Sequence, residues 1–578
     1  MRSAVERTGE ADISRDPARA LPSELGLCLV AVFLAVGALA TFEVSDPDLG
    51  FHLATGRAIL AQGHLLDRNV LSFAEPDRPW VLQQGPPAVL FELLWRWGGV
   101  TALILSKACV IATTFVVVFL AAARLGARPR VAAVVVIVAA WSCAFRFVER
   151  PLIFSNLALA LVLWSLASAG DTLGGRRALW LGVATLAVAA ACHLHAGAIF
   201  SFILLVIVVL ALTIEPLRRH FPFLGAPHAP AGPGAALAVL GVALVAAGIA
   251  ASTLALYHPF PLRVLEAPFV MGRDRFLAEH LIEFRPPWRF PFQLLHGYWA
   301  LLALTLLALV LAARRLPLAL CAVVLVFLGL SLRFVRFVDL FAIVAAPVLS
   351  LAIARLPIRL TARPWVGWLA LSAAVLAAPI SHWSRFPLRL AFAEGTWPTE
   401  LFAFVSAEAL RGPAFVSDGW AGPYLAFFYP RERVYFFPAF DAFSVGLYRE
   451  YLDIRYGHPG WDAKLDHHGI ELCILKYTSA NERRYQAGGD NLRQRLARDP
   501  RWALVDFDDR GEIFVRLDGV NRQVAERLGI AGVDPDRRSM PRGTGDTQAR
   551  LRQLAAYRKR LGLSRSDRLD NFIEPEAL

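Results

Sequence analysis

Apolar windows of about twenty residues recur along this chain from residue 24 to residue 382. An α-helix rises about 1.5 Å per residue, so each window matches the roughly 30 Å hydrocarbon core of a bilayer. About eleven such windows occur: residues 24–42, 99–122, 130–147, 152–169, 178–193, 196–213, 235–256, 293–312, 316–332, 337–353 and 365–382. The sequence therefore predicts an all-α polytopic membrane domain.

Composition agrees with a membrane protein and excludes an ordinary soluble enzyme. Hydrophobic residues make up 56% of the 578 residues, charged residues only 18%, and the mean hydropathy is +0.50. The 59 basic and 47 acidic residues give a net charge of +12, but no continuous basic tract is interleaved with aromatic residues. We therefore expect membrane lipids, and no nucleic acid, as partners.

Charged connections predict the orientation of the spans. If the N-terminus is cytoplasmic, the short Arg-bearing connections at 124–130, 170–177, 215–221, 313–315 and 354–363 all lie inside, as cytoplasmic loops should. The first span lacks a small-residue cleavage pattern, so we interpret it as an anchor. The scarcity of Lys among the basic residues is typical of a GC-rich bacterial genome. We therefore predict the bacterial cytoplasmic (inner) membrane, with the C-terminal domain periplasmic or extracellular.

The domain prediction follows from these patterns. We expect a cytoplasmic tail at 1–23, a transmembrane domain at 24–382 with outer loops 44–98 and 257–292, an extracytoplasmic α/β domain at 383–520, and a charged, partly helical tail at 521–578 that is mostly solvated. The predicted strands are 412–418, 432–437, 471–477, 502–509 and 512–517. The predicted helices of these regions are 398–411, 444–456, 489–498 and 547–561.

Ionisable residues gather on the predicted outer face, within a few residues of membrane ends. They are Asp46, Asp48, His52, Arg57, Arg146, Glu149, Arg150, His193, His195, His258, Arg263, Arg333 and Arg336. Each has a structural alternative: an Arg at a helix end can extend to the headgroups, Asp48 can cap the helix that follows, and His52 can be packed. Their coincidence at one membrane surface favours a polar site.

The residue types indicate the chemistry of such a site. Paired carboxylates can take a proton from an attacking hydroxyl or hold a divalent cation, and arginines can neutralise a phosphate. At a bilayer surface this combination favours glycosyl transfer from a polyprenyl-phosphate-linked sugar. Lys107, about 12 Å inside the second span, can extend to the interface or pair with the donor phosphate or Asp48.

Several stretches resemble a known family. "DPDLGFHLATGRAILAQGHLLDRNVLSF" and "RPWVLQQGPPAVLFELLW" look like the first outer loop of bacterial multi-pass proteins of the GT-C glycosyltransferase superfamily. The resemblance continues through "RPLIFSNLALAL", "HLHAGAIF", "YHPFPLRVL" and "RFVRFVDLFAIVAAP", and covers most of residues 40–350. It implies a transferase, inverting in type, that uses a lipid-linked donor and a lipid, glycan or protein acceptor.

The resemblance also implies roles for particular residues. Asp46 or Asp48 matches the family's base, Arg150 and the Arg333–Arg336 pair match its phosphate-binding arginines, and His195 matches a family histidine. The chain departs from the family pattern at Gly50-Phe51, at His193 and His258, where Asn is usual, and at Asp339. The remaining candidate substrate-binding residues are His52, Arg57, Lys107 and Arg146.

The sequence leaves the metal and two other functions open. Asp46 and Asp48, two apart around a Pro, are a candidate site for Mg or Mn, but this spacing is common and predicts no firm metal. A lipid or glycan transporter or flippase would also bury charged groups among helices, although it should show internal repeats. A noncatalytic envelope assembly protein would keep the spans and the outer domain without needing the acids.

Overall fold

The computed structural model describes residues 22–170, 172, 174–220, 232–273, 275–356, 363–393, 397–429, 433–437, 439, 441–477, 491–531, 533–535 and 545–573. The helices, numbered in chain order, are α1 Pro22–Ala40, α2 Leu49–Gln62, α3 Gly85–Arg124, α4 Pro129–Ser142, α5 Leu152–Gly170, α6 Gly174–Leu194, α7 Ile199–Ile214, α8 Pro233–Leu254, α9 Pro261–Arg273, α10 Arg275–His280, α11 Phe292–Ala312, α12 Leu318–Arg333, α13 Val338–Arg355, α14 Pro364–Trp383, α15 Thr399–Ala407, α16 Asp418–Phe428, α17 Val445–Arg455, α18 Trp461–His467, α19 Leu492–Arg498, α20 Arg522–Leu528, α21 Gly545–Arg560 and α22 Asp567–Ile573.

The chain forms two compact units. The helical unit comprises the residues up to Glu43 together with Ile104–Leu256 and Leu265–Leu390. The mixed unit comprises Val44–Leu103, Tyr257–Val264 and Ala391–Leu578. Residues 44–98, which the sequence analysis assigns to an outer loop of the membrane domain, thus cluster with the C-terminal residues.

Helix α13 lies at the centre of the helical unit. Apart from Asp339 and Ser350 its buried residues are apolar, as expected of a helix surrounded by others, and every residue from Val338 to Ala352 is buried. It packs against α4, α5, α11 and α12, while α1 and α14 pack on α4. Helix α14, by contrast, is mostly exposed, which is the pattern of a helix that faces lipid.

Nine of the described helical segments are long and apolar enough to cross a membrane. They are Ser23–Ala40, Gly85–Arg124, Leu152–Gly170, Gly174–Leu194, Ala196–Leu217, Pro233–Leu254, Phe292–Arg315, Val335–Arg355 and Pro364–Trp383. The predicted count of eleven is not confirmed, because α4 and α12 have only 14 and 16 residues and a full crossing takes about 20. The chain is nevertheless a multi-pass membrane protein.

The mixed unit contains a four-stranded sheet of order β1-β2-β4-β3. The strands are β1 Ala414–Val416, β2 Leu472–Lys476, β3 Trp502–Phe507 and β4 Gly511–Arg516. β1 pairs parallel with β2, and the other two pairings are antiparallel. The predicted α/β character is confirmed, but 433–437, the described part of the predicted strand 432–437, forms only isolated bridges through Val434, to Ser72 and Ala414.

The described part of the tail is packed rather than solvated. Leu551 and Leu554 of α21 and Leu569 of α22 are buried. Arg558 of α21 places its guanidinium 2.6 Å from the carboxylate of Asp506 on β3, and both side chains are almost completely buried. The α21–α22 segment therefore belongs to the folded core of the mixed unit, because its apolar stripe and one buried ion pair attach it to the sheet.

Candidate active site

Three arginines of the helical unit converge on one carboxylate, that of Glu283. Arg150 Nη1 lies 2.6 Å and Arg146 Nη1 lies 3.4 Å from the same Glu283 Oε1. Arg336 adds a third positive charge that interacts with Glu283. Burial alone would raise the pKa of Glu283, but the guanidinium groups of Arg150, Arg146 and Arg336 outweigh it and hold this pKa well below its ordinary value. Glu283 is therefore ionised at neutral pH. We call these four residues the arginine cluster.

Backbone geometry explains why these distant residues meet. Glu283 lies in a single 3-10 turn, Ile282–Phe284, and Arg336 lies in another, Val335–Phe337. The Val335 N–H donates to the Arg285 carbonyl over 2.9 Å, and the Arg336 guanidinium stacks 4.7 Å from the centre of the Phe284 ring. The two turns are thus joined by a backbone hydrogen bond and a cation–π contact.

A buried ion pair fixes the segment that carries Arg146 and Arg150. Arg146 ends a 3-10 turn and Arg150 lies two residues before the start of α5, so both lie on the connection between α4 and α5. Glu149, between them, pairs with Lys107 of α3 at 2.7 Å. From the sequence, the donor phosphate and Asp48 are candidate partners of Lys107. The structure provides Glu149 as one partner of the buried ammonium group, and pairing of Lys107 with the donor phosphate or Asp48 stays a prediction.

The two candidate histidines of the helical unit make local contacts. His195 Nδ1 accepts the Gly197 N–H over 2.8 Å and so caps the turn that precedes α7. Burial, reinforced by Arg336 and Arg150, lowers the pKa of His195 to about 3, so its ring is neutral at physiological pH. His193 Nε2 lies 2.8 Å from the hydroxyl of Thr253 on α8.

Two further residues lie on the helices that flank the turn carrying Arg336: Arg333 ends α12, and Asp339 belongs to α13. Asp339, in the first turn of α13, accepts a hydrogen bond from Asn156 Nδ2 over 2.9 Å and is almost completely buried. It lies close enough to Arg336 to interact with its charge. Arg333, the other member of the predicted pair, is exposed with its guanidinium 5.3 Å from the Phe334 ring centre. We therefore count Arg336 and not Arg333 among the residues that the structure brings to Glu283.

The candidate acids belong to the mixed unit. Asp46 is 5% exposed, and its Oδ1 accepts the Asp48 N–H over 3.0 Å. Asp48 occupies the N-cap position of α2, but within the described α2 segment its side chain makes no capping hydrogen bond. Asp48 thus occupies the N-cap position given as the alternative interpretation, but it does not cap α2 through its side chain. The catalytic role of Asp48 stays a prediction.

The helix that follows the acids is tightly fixed within the mixed unit. A Cβ at Gly50 would lie 2.4 Å from the Pro423 carbonyl oxygen of α16, and one at Gly56 would lie 2.1 Å from the Ala88 carbonyl oxygen of α3. Only glycine permits such close backbone approaches. These contacts hold α2, and with it the Asp46–Asp48 segment, in one position.

The other candidates of this unit have structural partners. Arg57 donates to the Phe427 carbonyl over 2.8 Å and lies 3.3 Å from Glu92. His52 is buried against the rings of Phe51 and Phe91, which is the packed alternative given above.

His258 uses both ring nitrogens inside the mixed unit. Its Nδ1 accepts the Phe260 N–H over 2.9 Å, so its Nε2 carries the proton and donates to the Leu82 carbonyl over 2.9 Å. Burial lowers the pKa of His258, and the hydrogen bond to Leu82 opposes that shift. His258 thus has a structural role, and its predicted contact with substrate stays a prediction.

A Mg or Mn ion at Asp46 and Asp48 stays a prediction. Within the part of the chain that the structure describes, no group of three or more His, Cys, Asp or Glu side chains is arranged so that it could hold a metal ion. Mg²⁺ and Mn²⁺ prefer about six oxygen ligands, whereas Asp46 and Asp48 supply two carboxylates, one oxygen of which already accepts a backbone N–H. We therefore derive no step through a metal.

Sequence reasoning missed Glu283. It lies 133 residues from Arg150 along the chain, and nothing in its local sequence marks it as a partner of arginines. The one available signal was its place in the loop 257–292, which the sequence analysis assigned to the same face as the arginines.

Comparison with known proteins shows the fold. No family model matches the sequence, and a search of curated proteins finds no match. The apo oligosaccharyltransferase of Archaeoglobus fulgidus is similar in structure, with a TM-score of 0.53 and 11% sequence identity. The match covers 78% of this chain and 69% of that chain. Two structures of ArnT from Cupriavidus metallidurans are 13% identical, and each match covers 85% of this chain and 97% of that chain. The TM-score is 0.45 for the structure bound to undecaprenyl phosphate and 0.34 for the apo structure. Both scores are too low to support an argument about this chain.

The oligosaccharyltransferase likeness confirms the resemblance stated from the sequence at the level of the fold. The identity is low, so the likeness says nothing about substrate. With its buried central helix, its membrane-spanning helices and its small C-terminal sheet, the chain has the GT-C glycosyltransferase fold.

Proposed function

We propose that this protein is a membrane glycosyltransferase that moves a sugar from a polyprenyl-phosphate donor to an acceptor hydroxyl or amide on a lipid, glycan or protein. The arginine cluster carries the proposal. Arginines bind phosphate oxygens through charge-assisted, paired hydrogen bonds. Arg146 and Arg150 already contact one anionic oxygen of Glu283, and the charge of Arg336 acts on the same carboxylate. The fold supports the same reaction class, by analogy only.

The proposed reaction is a single displacement. The acceptor oxygen or nitrogen attacks the anomeric carbon and passes its proton to Asp46 or Asp48. The bond between that carbon and the phosphate oxygen breaks, and its electron pair leaves with the polyprenyl phosphate. The arginines stabilise the negative charge that develops on this phosphate. One displacement inverts the anomeric configuration.

The proposed location is the outer face of a bacterial inner membrane, with the N-terminus cytoplasmic. The Arg-bearing connections support this orientation. Alkaline phosphatase fused after residue 578 should be active in a bacterial host, because that enzyme folds only outside the cytoplasm. An inactive fusion at normal expression would place the C-terminus in the cytoplasm and contradict the proposed orientation.

Cells that lack the gene test the function directly. Mass spectrometry of their lipid-linked and envelope glycans should reveal a missing sugar that the wild-type gene restores. Asp46→Asn, Asp48→Asn and Arg150→Gln should fail to restore it at normal membrane levels, whereas Asp77→Asn, at an exposed position of the same loop, should restore it fully. Full restoration by the doubly substituted Asp46→Asn, Asp48→Asn chain would contradict the transferase and favour a transporter or an assembly protein.

A further inference from the structure

Glu283 occupies the position in the arginine cluster that suits a phosphate. A single oxygen, Oε1, contacts both Arg150 and Arg146. A carboxylate oxygen bound by two guanidinium groups resembles a bound phosphate oxygen in charge and in hydrogen bonding. The protein thus holds its own anion among these arginines.

The cluster has more donors than Glu283 satisfies. Arg146 Nε and Arg336 Nε are both buried, and neither has a hydrogen-bond partner within the described residues. Buried N–H groups are normally satisfied, and each one left without an acceptor is unfavourable. A phosphate group has more acceptor oxygens than a carboxylate, so it can accept from donors that Glu283 leaves unused.

The cluster is accessible to such a ligand. The side chains of Arg150 and Glu283 are 27% and 24% exposed, so the ion pair is not sealed in the protein. The backbone around Glu283 is held by the Val335–Arg285 hydrogen bond. Glu283 can therefore leave the arginines by rotation of its side chain while the two turns stay joined.

We propose that Glu283 is a resident counter-ion of the phosphate site, which the donor phosphate displaces and which returns as the polyprenyl phosphate product leaves. This inference rests on the proposed function. A polyprenyl phosphate sugar is a phosphodiester with one negative charge, so its exchange for Glu283 conserves the charge of the cluster. The product is a phosphomonoester of higher charge, which binds three arginines more strongly. The returning carboxylate competes with it and promotes release.

Binding of a simple probe to the purified full-length protein in nanodiscs tests the inference. The probe is farnesyl phosphate, and farnesol, which lacks the phosphate, is its control. Glu283→Gln keeps the shape and removes the competing charge, so the Kd for farnesyl phosphate should fall about tenfold, as expected for loss of a charged competitor. Glu266→Gln, at an exposed position of α9, should change nothing, and farnesol should bind all variants alike.

A second variant keeps the test decisive if Glu283→Gln does not fold. Glu283→Asp keeps the charge but is one methylene shorter, so it should compete less than Glu283 and bind the probe more tightly than wild type by a smaller factor. Unchanged or weaker binding of farnesyl phosphate by either folded variant would overturn the exchange and make Glu283 a positioning residue.

The proposed function can fail separately. Arg150→Gln should weaken binding of farnesyl phosphate and leave binding of farnesol unchanged. If it does so while Glu283→Gln fails to tighten binding, the phosphate site stands and the exchange does not. If wild type and Arg150→Gln bind farnesyl phosphate equally well, the arginines bind no phosphate and both proposals fall.

Discussion

Lys107 Nζ lies 2.7 Å from Glu149 Oε1, and both side chains are only 1% exposed. The ammonium group also lies 3.9 Å from the centre of the Phe42 ring. The Glu149 carboxylate and the Phe42 ring stabilise the positive charge of Lys107, which is buried where water cannot hydrate it. Because Glu149 stands between Arg146 and Arg150, the pair also fixes the connection that carries two members of the arginine cluster.

Breaking this pair should destabilise the helical unit. Lys107→Met leaves Glu149 buried without its cation, at a cost of about 3–5 kcal/mol. The double variant Lys107→Met, Glu149→Gln should recover part of that loss, because no net charge remains buried. Thermal unfolding of the purified protein measures both. The control is Lys464→Met. The side chains of Lys464 and its partner Asp453 are 28% and 39% exposed, so loss of this pair should lower the free energy of unfolding by less than about 1 kcal/mol. Equal effects of the two single variants would contradict the structural role of the buried pair.

Arg558 gives a similar test in the mixed unit. Its guanidinium binds both carboxylate oxygens of Asp506, at 2.7 and 2.6 Å. Arg558→Met should leave Asp506 buried and unpaired and destabilise the sheet by about 3–5 kcal/mol. Lys559→Met, at the exposed neighbouring position, should have little effect. Protease sensitivity of the C-terminal residues measures the difference, and equal sensitivity of both variants would mean that α21 does not support the sheet.

Gly56 tests whether the position of α2 matters to the acids that precede it. Gly56→Ala forces a Cβ to within 2.1 Å of the Ala88 carbonyl oxygen, so α2 must shift. We expect a loss of stability of about 1–3 kcal/mol and reduced sugar transfer in the complementation assay. Gly26→Ala is the control, because a Cβ there meets no described atom within 4 Å. Normal transfer by Gly56→Ala would show that the acids tolerate movement of α2, which would weaken their assignment as the base.

The sequence predicts those parts of this fold that depend on local patterns. Residues 338–352 are apolar apart from Asp339 and Ser350, and they form the buried central helix. The run 432–437 has the same β-rich composition as the strands, yet its described residues form only bridges. Strand formation needs a partner with a free edge along its length, and composition carries no information about that partner.

Charge partners far apart in the chain were the least predictable features. The arginines were identified because each lies near a membrane end, but the position of Glu283 gave no such signal. Lys107 was recognised as unusual by its depth, whereas its partner Glu149 could be chosen only once the helices were packed. Asp48 lies at the N-cap position that the sequence predicts, but its side chain makes no capping hydrogen bond within α2. The position was therefore predictable from the local sequence, whereas the contact was not.

The depressed pKa of Glu283 predicts how stability depends on pH. The unfolded chain binds a proton at this side chain near the ordinary value of 4.5, whereas the folded protein does so only at lower pH. Stability from the arginine cluster is therefore fully present above about pH 4.5 and is lost as the pH falls below it. The melting temperature of wild type should exceed that of Glu283→Gln by a constant amount between pH 8 and pH 5.5, and the difference should shrink in more acidic buffer. A difference that already declines between pH 8 and pH 6 would mean that Glu283 is protonated near neutrality, and it could not then be the anion that a donor phosphate displaces.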